Sequence, residues 1–538
     1  MKKNSIKMLL ITGLFAGTTL VSCKKNLILT PNDQVTSTAV YSTPAGYKMA
    51  LAKVYAAFAL TGNNGPAGSP DIAGIDEGSS DFFREYWEAQ ELPTDEAVVG
   101  WGDAGLPDFH NMSWSSSNLF LQGLYYRSTY QITLCNEFIR QSSDANLSTR
   151  GITGTDATNI RYYRAEARFL RAYQYAVLMD LFANPPFATD ADAIGTTTPP
   201  QTDRKTLFAY IESELKAIDG SLVAPKQNEY GRADQAAEWA LLARIYLNAG
   251  VYTGTTRYTD AITYSQKVIN AGYSLIGNYD NLMLADNNNN TNEFILTINY
   301  DGNNTQSYGG TTFLTHAPVG GSMPSSDFGI TGGWAGLRTT SSLVNLFPAN
   351  TSTVFPNNGN PDKRAEFWTN GQNLVINDVT SFTDGYAVTK YRNVTSAGAA
   401  GSNIGYSDVD MPIFRLPEMY FIYAESVLRG GTGGDAGTAL TYMNKIRTRA
   451  YGGSASGNIA ATDLTTDFIL NERARELFWE GFRRTDLIRY GRFVESTYLW
   501  PYKGGVKGGT SVASYRTIYP LPTSDLSVNS NLKQNPGY

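Results

Sequence analysis

The clearest hydrophobic pattern lies between Arg164 and Phe182, where apolar side chains recur at steps of four and three residues. The positions that share this face are Ala165, Phe169, Ala172, Ala176 and Met179. This spacing places them on one side of an α-helix, and the small residues among them let a second helix approach closely. Asn184, Pro185 and Pro186 follow, and proline cannot continue a helix. The pattern therefore predicts a helix over 164–182 that packs on another helix.

Similar periodicity predicts further helices on both sides of the middle of the chain. They cover about 43–60, 205–219, a stretch that stops at Gly250, 258–271, 416–429, 436–450 and 467–493. The stretch before Gly250 has a face of small and apolar residues, formed by Ala236, Ala240, Ala243 and Leu247. Two alanine-lined helices joined by a short turn resemble a tetratricopeptide unit. The helices therefore predict a scaffold of helical repeats.

The segment 278–410 has a different composition, rich in Gly, Asn, Ser and Thr, with only short strand-like pieces such as 293–300. A loop-rich segment of this length inside a compact protein is uncommon and usually functional. The predicted fold is therefore mainly α, a tetratricopeptide-like helical-repeat scaffold with a long loop-rich lobe that carries short strands. The predicted helical regions are 43–277 and 411–538, and 278–410 is the predicted ligand-binding lobe.

The N-terminus has the pattern of an export signal. Lys2, Lys3 and Lys7 precede an apolar run over 8–21, which is too short and too rich in Gly and Thr to span a bilayer comfortably. The run ends in the sequence LVSC at 20–23, which resembles the lipobox of bacterial lipoproteins. We therefore predict a signal peptide over 1–22 and a lipidated N-terminus with a polar tether over 23–42, in which Cys23 carries the lipid.

The composition of the chain narrows the range of possible functions. Charged residues make up 17% of the chain and the net charge is -6, which argues against a nucleic-acid partner. Aromatic residues make up 12%, including 34 Tyr and 8 Trp, and their flat apolar faces with polar edges suit sugars. With only two histidines, His110 and His316, a histidine-based triad or a histidine-rich zinc site is disfavoured.

Cysteine and carboxylate usage adds two expectations. Once Cys23 is lipidated, Cys135 has no partner, so we predict a buried thiol in a helical stretch. The Glu and Arg residues over 472–493 are predicted to form structural ion pairs. The adjacent acids at 76–77 and 95–96 leave a glycoside hydrolase open as an alternative, because such enzymes use two carboxylates.

Five stretches resemble signature blocks of the SusD/RagB family, and they occur in the family's order behind the lipoprotein signal. The blocks are RAEARFLRAYQYAVLMDLF, GRADQAAEWALLARIYLNAG, MPIFRLPEMYFIYAESVLRGG, ERARELFWEGFRRTDLIRYG and IYPLPTSDLSVNSNLKQNPGY. The resemblance implies a tetratricopeptide-like α fold and a lipid-anchored outer-membrane receptor. Such a receptor caps a TonB-dependent (SusC-like) transporter, captures glycans, and has no catalytic activity or catalytic cofactor.

Four further stretches are similar to loops of the starch-binding branch of this family: GIDEGSSDFFR, ELPTDEAVVGW, SYGGTTFL and GGWAGLR. By this resemblance, an arc of aromatic rings formed by Trp101, Tyr308 and Trp334 would bind the curve of an α-1,4-glucan. Arg84 and Asp76 would contact hydroxyl groups. Asp103 is assigned as the next polar contact, although the stretch after Trp101 differs in length from the family pattern.

The chemistry of sugars supports an aromatic site independently of the family. A pyranose presents C–H groups on one face and hydroxyls at its rim, so flat rings take the face and polar groups hold the rim. Trp101 and Trp334 lie among Gly, Asp and Thr rather than in apolar runs, which favours exposed rings over core rings. A receptor for another glycan or for peptides remains an alternative.

The resemblance also implies a structural calcium ion near two loops. The expected ligands are Asp280, Leu282, Asp408 and Asp410, because hard oxygen ligands suit Ca²⁺. The alternative is that these acids are simply solvated loop residues.

Overall fold

The computed structural model describes residues 37–62, 64–193, 195 and 198–538. Its helices are α1 (Ser37–Val40), α2 (Pro44–Ala56), α3 (Phe82–Glu91), α4 (Asp108–Asn111), α5 (Leu119–Gln141), α6 (Asp144–Thr149), α7 (Gly154–Leu181), α8 (Arg204–Ile218), α9 (Gln235–Leu247), α10 (Ala249–Thr253), α11 (Tyr258–Ile269), α12 (Gly310–His316), α13 (Ser341–Val344), α14 (Leu416–Leu428), α15 (Ala436–Ala450), α16 (Thr466–Leu477), α17 (Arg483–Arg489) and α18 (Thr523–Val528). The strands are β1 (Val98–Val99), β2 (Phe294–Ile298), β3 (Leu337–Arg338), β4 (Phe367–Trp368), β5 (Ala387–Val388) and β6 (Met411–Arg415).

Packed helices form the scaffold. α5 packs on α7, α7 on α8, α9 on α11, and α14 on α15, and α11 also contacts α14. On α9 the small side chains Ala236, Ala240 and Ala243 are fully buried, which is the close approach that their spacing predicts. The mainly α fold with helical-repeat pairs is therefore confirmed. The predicted domain boundaries stay predictions.

Two short antiparallel strand pairs attach the loop-rich lobe to the scaffold: β2 pairs with β6, and β1 pairs with β3. A third pair, β4 with β5, lies within the lobe. The β1–β3 pair joins residues that are far apart in sequence, Val98 with Arg338 and Val99 with Leu337. Within the lobe, α12 and α13 add short helical pieces.

Two segments differ from the helices that the sequence predicts. Residues 82–91, for which the sequence analysis predicts no helix, form α3, in which nine of the ten residues are buried. The single helix expected over 467–493 is instead α16 and α17, separated by a turn in which Trp479 and Gly481 have φ of 63° and 83°. Those positive φ values are incompatible with a continuing right-handed helix. The amides of this turn bind elsewhere: Gly481 N–H donates to Glu91 Oε1 at 2.7 Å.

A buried network of charges connects the lobe to the C-terminal helices. Its ion pairs include Arg364–Glu472 at 2.9 Å, Lys390–Glu480 at 2.6 Å and Arg415–Glu476 at 2.6 Å. The side chains of these pairs are at most 1% exposed. Buried charges are tolerated only when paired and hydrogen bonded, so the network fixes how the lobe sits on the scaffold. The predicted structural role of the 472–493 acids and arginines is confirmed.

Cys135 is a free, buried thiol on α5, as predicted, and burial raises its pKa to about 12. Among the described residues, no helix is long and apolar enough to cross a membrane. Cys23 and the predicted signal peptide lie outside the described residues.

Candidate ligand-binding site

The β1–β3 pair brings Trp101 and Trp334 together. Trp101 follows β1 and Trp334 precedes β3, and Gly100 N–H donates to the Gly336 carbonyl at 2.9 Å. The two indole rings have centroids 6.4 Å apart and planes inclined by 46°. Trp101 Nε1–H donates to the Trp334 carbonyl at 3.2 Å. Strand pairing therefore explains how rings more than two hundred residues apart in sequence become neighbours.

Gly336 allows this close approach. A Cβ atom at that position would lie 2.1 Å from Cε2 and 2.3 Å from Cζ2 of Trp101. Those separations are far shorter than a van der Waals contact between carbon atoms. The Trp101 indole thus lies directly on the backbone of Gly336, and a side chain there would displace the ring.

Tyr308 provides the third predicted ring, just before α12. Its ring centroid is 6.3 Å from that of Trp334, with planes inclined by 68°, and the side chain is 38% exposed. α12 also supports the Trp334 ring from below. The His316 ring lies 5.0 Å from it, and Trp334 N–H donates to the His316 carbonyl at 2.9 Å. The three predicted rings therefore form one continuous group.

Tyr406 extends the group by a fourth ring that the sequence analysis missed. Its centroid is 5.9 Å from that of Tyr308, with planes inclined by 36°, and it is half-buried. Burial, together with a hydrogen bond to Tyr308, raises the pKa of Tyr406 to about 12. The available signal was its setting between Gly405 and Ser407, the same kind of neighbourhood as Tyr308. We call Trp101, Trp334, Tyr308 and Tyr406 the ring platform.

Arg84 is fixed beside the platform by three contacts. Its Nε–H donates to Glu88 Oε1 at 3.0 Å, and Nη1–H donates to the Tyr308 carbonyl at 3.3 Å. Its guanidinium carbon lies 4.6 Å from the centroid of the Phe313 ring. The side chain is largely buried, and among the described residues Nη2 has no hydrogen-bond partner. Arg84 is therefore held in one orientation, and its Nη2–H groups remain available to donate to a ligand.

Asp76 and Asp103 lie at the edges of this arrangement, and both are exposed. Asp76 Oδ1 accepts from the N–H and hydroxyl of Ser79 at 2.9 and 3.0 Å. A Cβ on Gly78 would lie 3.4 Å from Asp76 Oδ1 and 3.6 Å from Tyr308 Cδ2, so Asp76 lies close to Tyr308. Burial raises the pKa of Glu88 to about 7, Arg84 opposes this shift, and the negative charge of Asp103 adds to it. Asp103 therefore lies near the Arg84–Glu88 pair.

The indole rings are less exposed than the sequence predicts. Trp101 and Trp334 are half-buried and pack against the main hydrophobic core, whereas Tyr308 is exposed. The Phe313 ring, 6.1 Å from that of Trp101, explains part of this burial. The platform thus presents ring surface to solvent while its under-side rests on core residues. It forms an open surface of inclined apolar faces, bordered by an arginine donor and two carboxylates.

The structure does not confirm the predicted calcium site. Among the described residues, no group of three or more His, Cys, Asp and Glu could hold a metal ion. Asp408 accepts from Gly302 N–H at 2.7 Å, and Asp410 accepts from Tyr300 N–H and Tyr230 O–H, both at 2.8 Å.

The other two expected calcium ligands are Asp280 and Leu282. Burial raises the pKa of Asp280, and its nearby charges are those of Arg392 and Lys363. The Leu282 carbonyl accepts from Asn287 Nδ2–H at 2.9 Å. Asp280 Oδ1 is buried without a hydrogen-bond partner among the described residues, and Asn287 Nδ2–H donates to the Asp410 carbonyl as well as to that of Leu282. Structural calcium, which needs a cluster of oxygen ligands, is therefore not confirmed and stays a prediction.

The adjacent acids that suggested a hydrolase are structural. Both oxygens of Asp95 accept from Arg483 at 2.7 Å, and Oδ2 also accepts from the Tyr498 hydroxyl at 2.6 Å. Glu96 and Glu77 are each 2% exposed. Two carboxylates that straddle a glycosidic bond must both reach the substrate, and in each of these pairs at least one is buried.

Comparison with known proteins gives the family. The SusD family model matches residues 357–538. The chain is 36% identical to the starch-binding protein SusD of Bacteroides thetaiotaomicron over an alignment of 580 positions that covers 100% of both chains. It is 25% identical to the SusD-like protein P25 of Formosa agariphila over 73% of this chain and 76% of that one.

Solved structures share the fold. The surface glycan-binding protein A from Bacteroides fluxus superposes with a TM-score of 0.70 at 21% identity, covering 92% of this chain and 100% of that one. A laminarin-binding SusD-like protein superposes with a TM-score of 0.67 at 21% identity, covering 92% and 99%. The prediction that the chain is not an enzyme agrees with its full-length relative, which is a starch-binding protein. With full-length identity of 36% to one member, the chain belongs to the SusD family.

Proposed function

We propose that this protein binds starch and malto-oligosaccharides on the ring platform. The observation that carries the proposal is the inclination of successive rings, 46° between Trp101 and Trp334 and 68° between Trp334 and Tyr308. Rings inclined in this way suit the turning sugar faces of a curved chain such as an α-1,4-glucan better than those of a straight, flat glycan. The full-length relationship to a starch-binding protein supports the same ligand.

The polar groups at the border of the platform have complementary roles. Arg84 Nη2 would donate to sugar hydroxyls, and the exposed carboxylates of Asp76 and Asp103 would accept from them. Because Arg84 is already fixed by Glu88 and the Tyr308 carbonyl, little side-chain entropy is lost when the sugar binds. The site is therefore preorganised for a ligand whose rim hydroxyls lie on the Arg84 side.

In the cell, we propose that the protein is an outer-membrane lipoprotein anchored through Cys23. It would deliver captured glycan to a SusC-like TonB-dependent transporter. Family membership supports this role. Attachment to the membrane beside a transporter holds captured ligand at high local concentration, so the affinity for the sugar need not be high.

Calorimetry on the purified protein tests the ligand assignment. The panel is maltoheptaose, a cyclodextrin, cellohexaose and a mixed-linkage β-glucan. We expect heat of binding with the first two, which present the curve of an α-1,4-glucan, and none with cellohexaose. Binding of only the β-linked ligands would assign the site to another glycan, and binding of none would favour a receptor for peptides.

A further inference from the structure

α12 is the element on which the ring platform depends. Phe313 on this helix lies under Trp101, with ring centroids 6.1 Å apart, and His316 lies 5.0 Å from Trp334. Tyr308 stands two residues before the helix begins at Gly310. A movement of α12 would therefore move three of the four rings together.

Arg84, the donor beside the platform, lies on a different helix, α3. Its position relative to the rings is set by how α3 and α12 are joined. The Arg84 guanidinium touches α12 at the Phe313 ring, and it donates to the Tyr308 carbonyl at 3.3 Å. Both contacts require the first residues of α3 and of α12 to keep their positions relative to each other.

One carboxylate oxygen joins the two helix starts. Asp81 Oδ1 accepts from Phe83 N–H at 2.9 Å and from Arg84 N–H at 3.1 Å, which caps α3. The same oxygen accepts from Gly310 N–H, the first residue of α12, at 2.8 Å. Asp81 is fully buried, so the three bonds are shielded from water.

The backbone around Asp81 is shaped to allow this junction. A Cβ on Gly309 would lie 1.9 Å from the Asp81 Cβ. Gly310 has φ of 54°, a conformation that glycine adopts readily, and a Cβ there would lie 2.3 Å from the Tyr300 ring. Both glycines thus let the chain pass directly over Asp81.

We propose that Asp81 is a positioning residue that sets Arg84 and the ring platform at the separation required for glycan binding. Asp81 is not itself a contact for the ligand. The inference rests on the proposed function and adds to it the residue that holds the two halves of the site together.

Two substitutions of Asp81 separate its bonds to the two helices. Asp81→Asn retains Oδ1 and can keep all three bonds from backbone N–H groups. Burial raises the pKa of Asp81 to about 6, although its three backbone bonds and the charge of Arg127 oppose this shift, so the carboxylate charge carries a net cost that an amide avoids. Oδ2 has no hydrogen-bond partner among the described residues that the substitution would remove. Ser still caps α3 through its hydroxyl, but its shorter side chain does not reach Gly310.

Asp234 provides a matched control. It caps α9 through Oδ1, which accepts from Ala236 and Ala237 N–H at 2.9 and 3.1 Å, and Oδ2 accepts from Lys226 N–H at 2.7 Å. It is 4% exposed, and burial raises its pKa to about 6 as well. None of these bonds involves a residue of the ring platform.

The experiment measures maltoheptaose affinity by calorimetry and melting temperature for the wild type, Asp81→Asn, Asp81→Ser and Asp234→Ser. We expect Asp81→Asn to bind as the wild type does. Asp81→Ser should raise the Kd by about tenfold or more. Asp234→Ser should lower the melting temperature by about as much as Asp81→Ser does, without changing the Kd. Wild-type affinity in Asp81→Ser, or an equal loss in Asp234→Ser, would overturn the proposal.

Near-UV circular dichroism provides a readout that needs no ligand, because the inclined indoles of Trp101 and Trp334 are close enough to couple. If the wild type bound none of the glycans, the proposed function would fail, and this spectrum would still test the junction. We expect a changed spectrum in Asp81→Ser and an unchanged one in Asp81→Asn. Identical spectra for these two variants would overturn the positioning role.

Discussion

At the scale of single residues, the site depends on how closely side chains approach the backbone. Gly336 is the clearest case, because the Trp101 ring occupies the space that a Cβ would fill. The Gly336 backbone cannot move away easily, since its carbonyl accepts from Gly100 N–H at 2.9 Å and its own N–H donates to the Ala317 carbonyl at 2.8 Å. A side chain at position 336 would therefore displace the Trp101 ring rather than the backbone.

We expect Gly336→Ala to weaken maltoheptaose binding by about tenfold, the equivalent of ~1.4 kcal/mol, by pushing Trp101 out of line with Trp334. The measurement is calorimetry together with tryptophan fluorescence. Gly332→Ala is the control, because a Cβ on Gly332 meets nothing within 4 Å. Equal affinity in the two variants would show that the place of the Trp101 ring does not matter for binding.

Ring burial is where residue-scale prediction from the sequence fell short. The polar neighbours of Trp101 and Trp334 correctly indicated that the rings are not enclosed in the core. They gave no information on Phe313 and His316, which lie under the rings and come from α12. Such contacts depend on tertiary packing between distant segments, so local composition predicts them poorly.

At the scale of elements, apolar spacing predicted most scaffold helices but not α3. α15 has exposed positions beside its buried ones, whereas α9 and α14 have no exposed residue and were found from their runs of apolar and small residues. α3 has nine buried residues out of ten, and five of the nine are polar or charged, so its composition is typical of a surface segment although it lies in the interior. The break after α16 had a sequence signal in Gly481, but the apolar pattern around it suggested continuity.

The buried charge network makes an element-scale prediction about pH. Although burial opposes it, Arg449, Arg415 and Arg364 lower the pKa of Glu476 to about 2. A carboxyl whose pKa is lowered by folding stabilises the folded state above its unfolded pKa of ~4.3. That stabilisation is lost as the pH falls toward 2.

We therefore expect Glu476→Gln to cost about 3–5 kcal/mol at neutral pH, because it leaves buried arginines without a partner. The difference in melting temperature from the wild type should shrink as the pH falls from 5 to 3. Glu212→Gln is the control: its pKa is also lowered to about 2, but its partners Arg257 and Lys216 are partly exposed. A difference that stays constant down to pH 3 would contradict the role given to Glu476.

At the scale of the whole molecule, we predict that a lipid anchor precedes a folded receptor. The anchor prediction rests on the LVSC sequence at 20–23, and the first described helix begins at Ser37. We expect Cys23→Ala to release the protein from the membrane fraction without lowering its melting temperature. Fractionation with palmitate labelling measures this. A variant that still labelled and sedimented with membranes would contradict lipidation at Cys23.

The central claim is that the ring platform binds the glycan, and Tyr308 tests it most directly because its side chain is exposed. Tyr162, on α7, is a matched control with 37% exposure against 38% for Tyr308. Removing an exposed ring leaves no cavity, so neither Tyr308→Ala nor Tyr162→Ala should lower the melting temperature appreciably.

The decisive measurement is the affinity of these two variants for maltoheptaose by calorimetry, with melting temperatures recorded on the same samples. If Tyr308 is a major contact, its loss costs about 1–3 kcal/mol of binding, or about one to two decades in Kd. We predict that loss for Tyr308→Ala and wild-type affinity for Tyr162→Ala. A Tyr308→Ala protein that melts and binds as the wild type does would contradict the account and place the glycan site elsewhere.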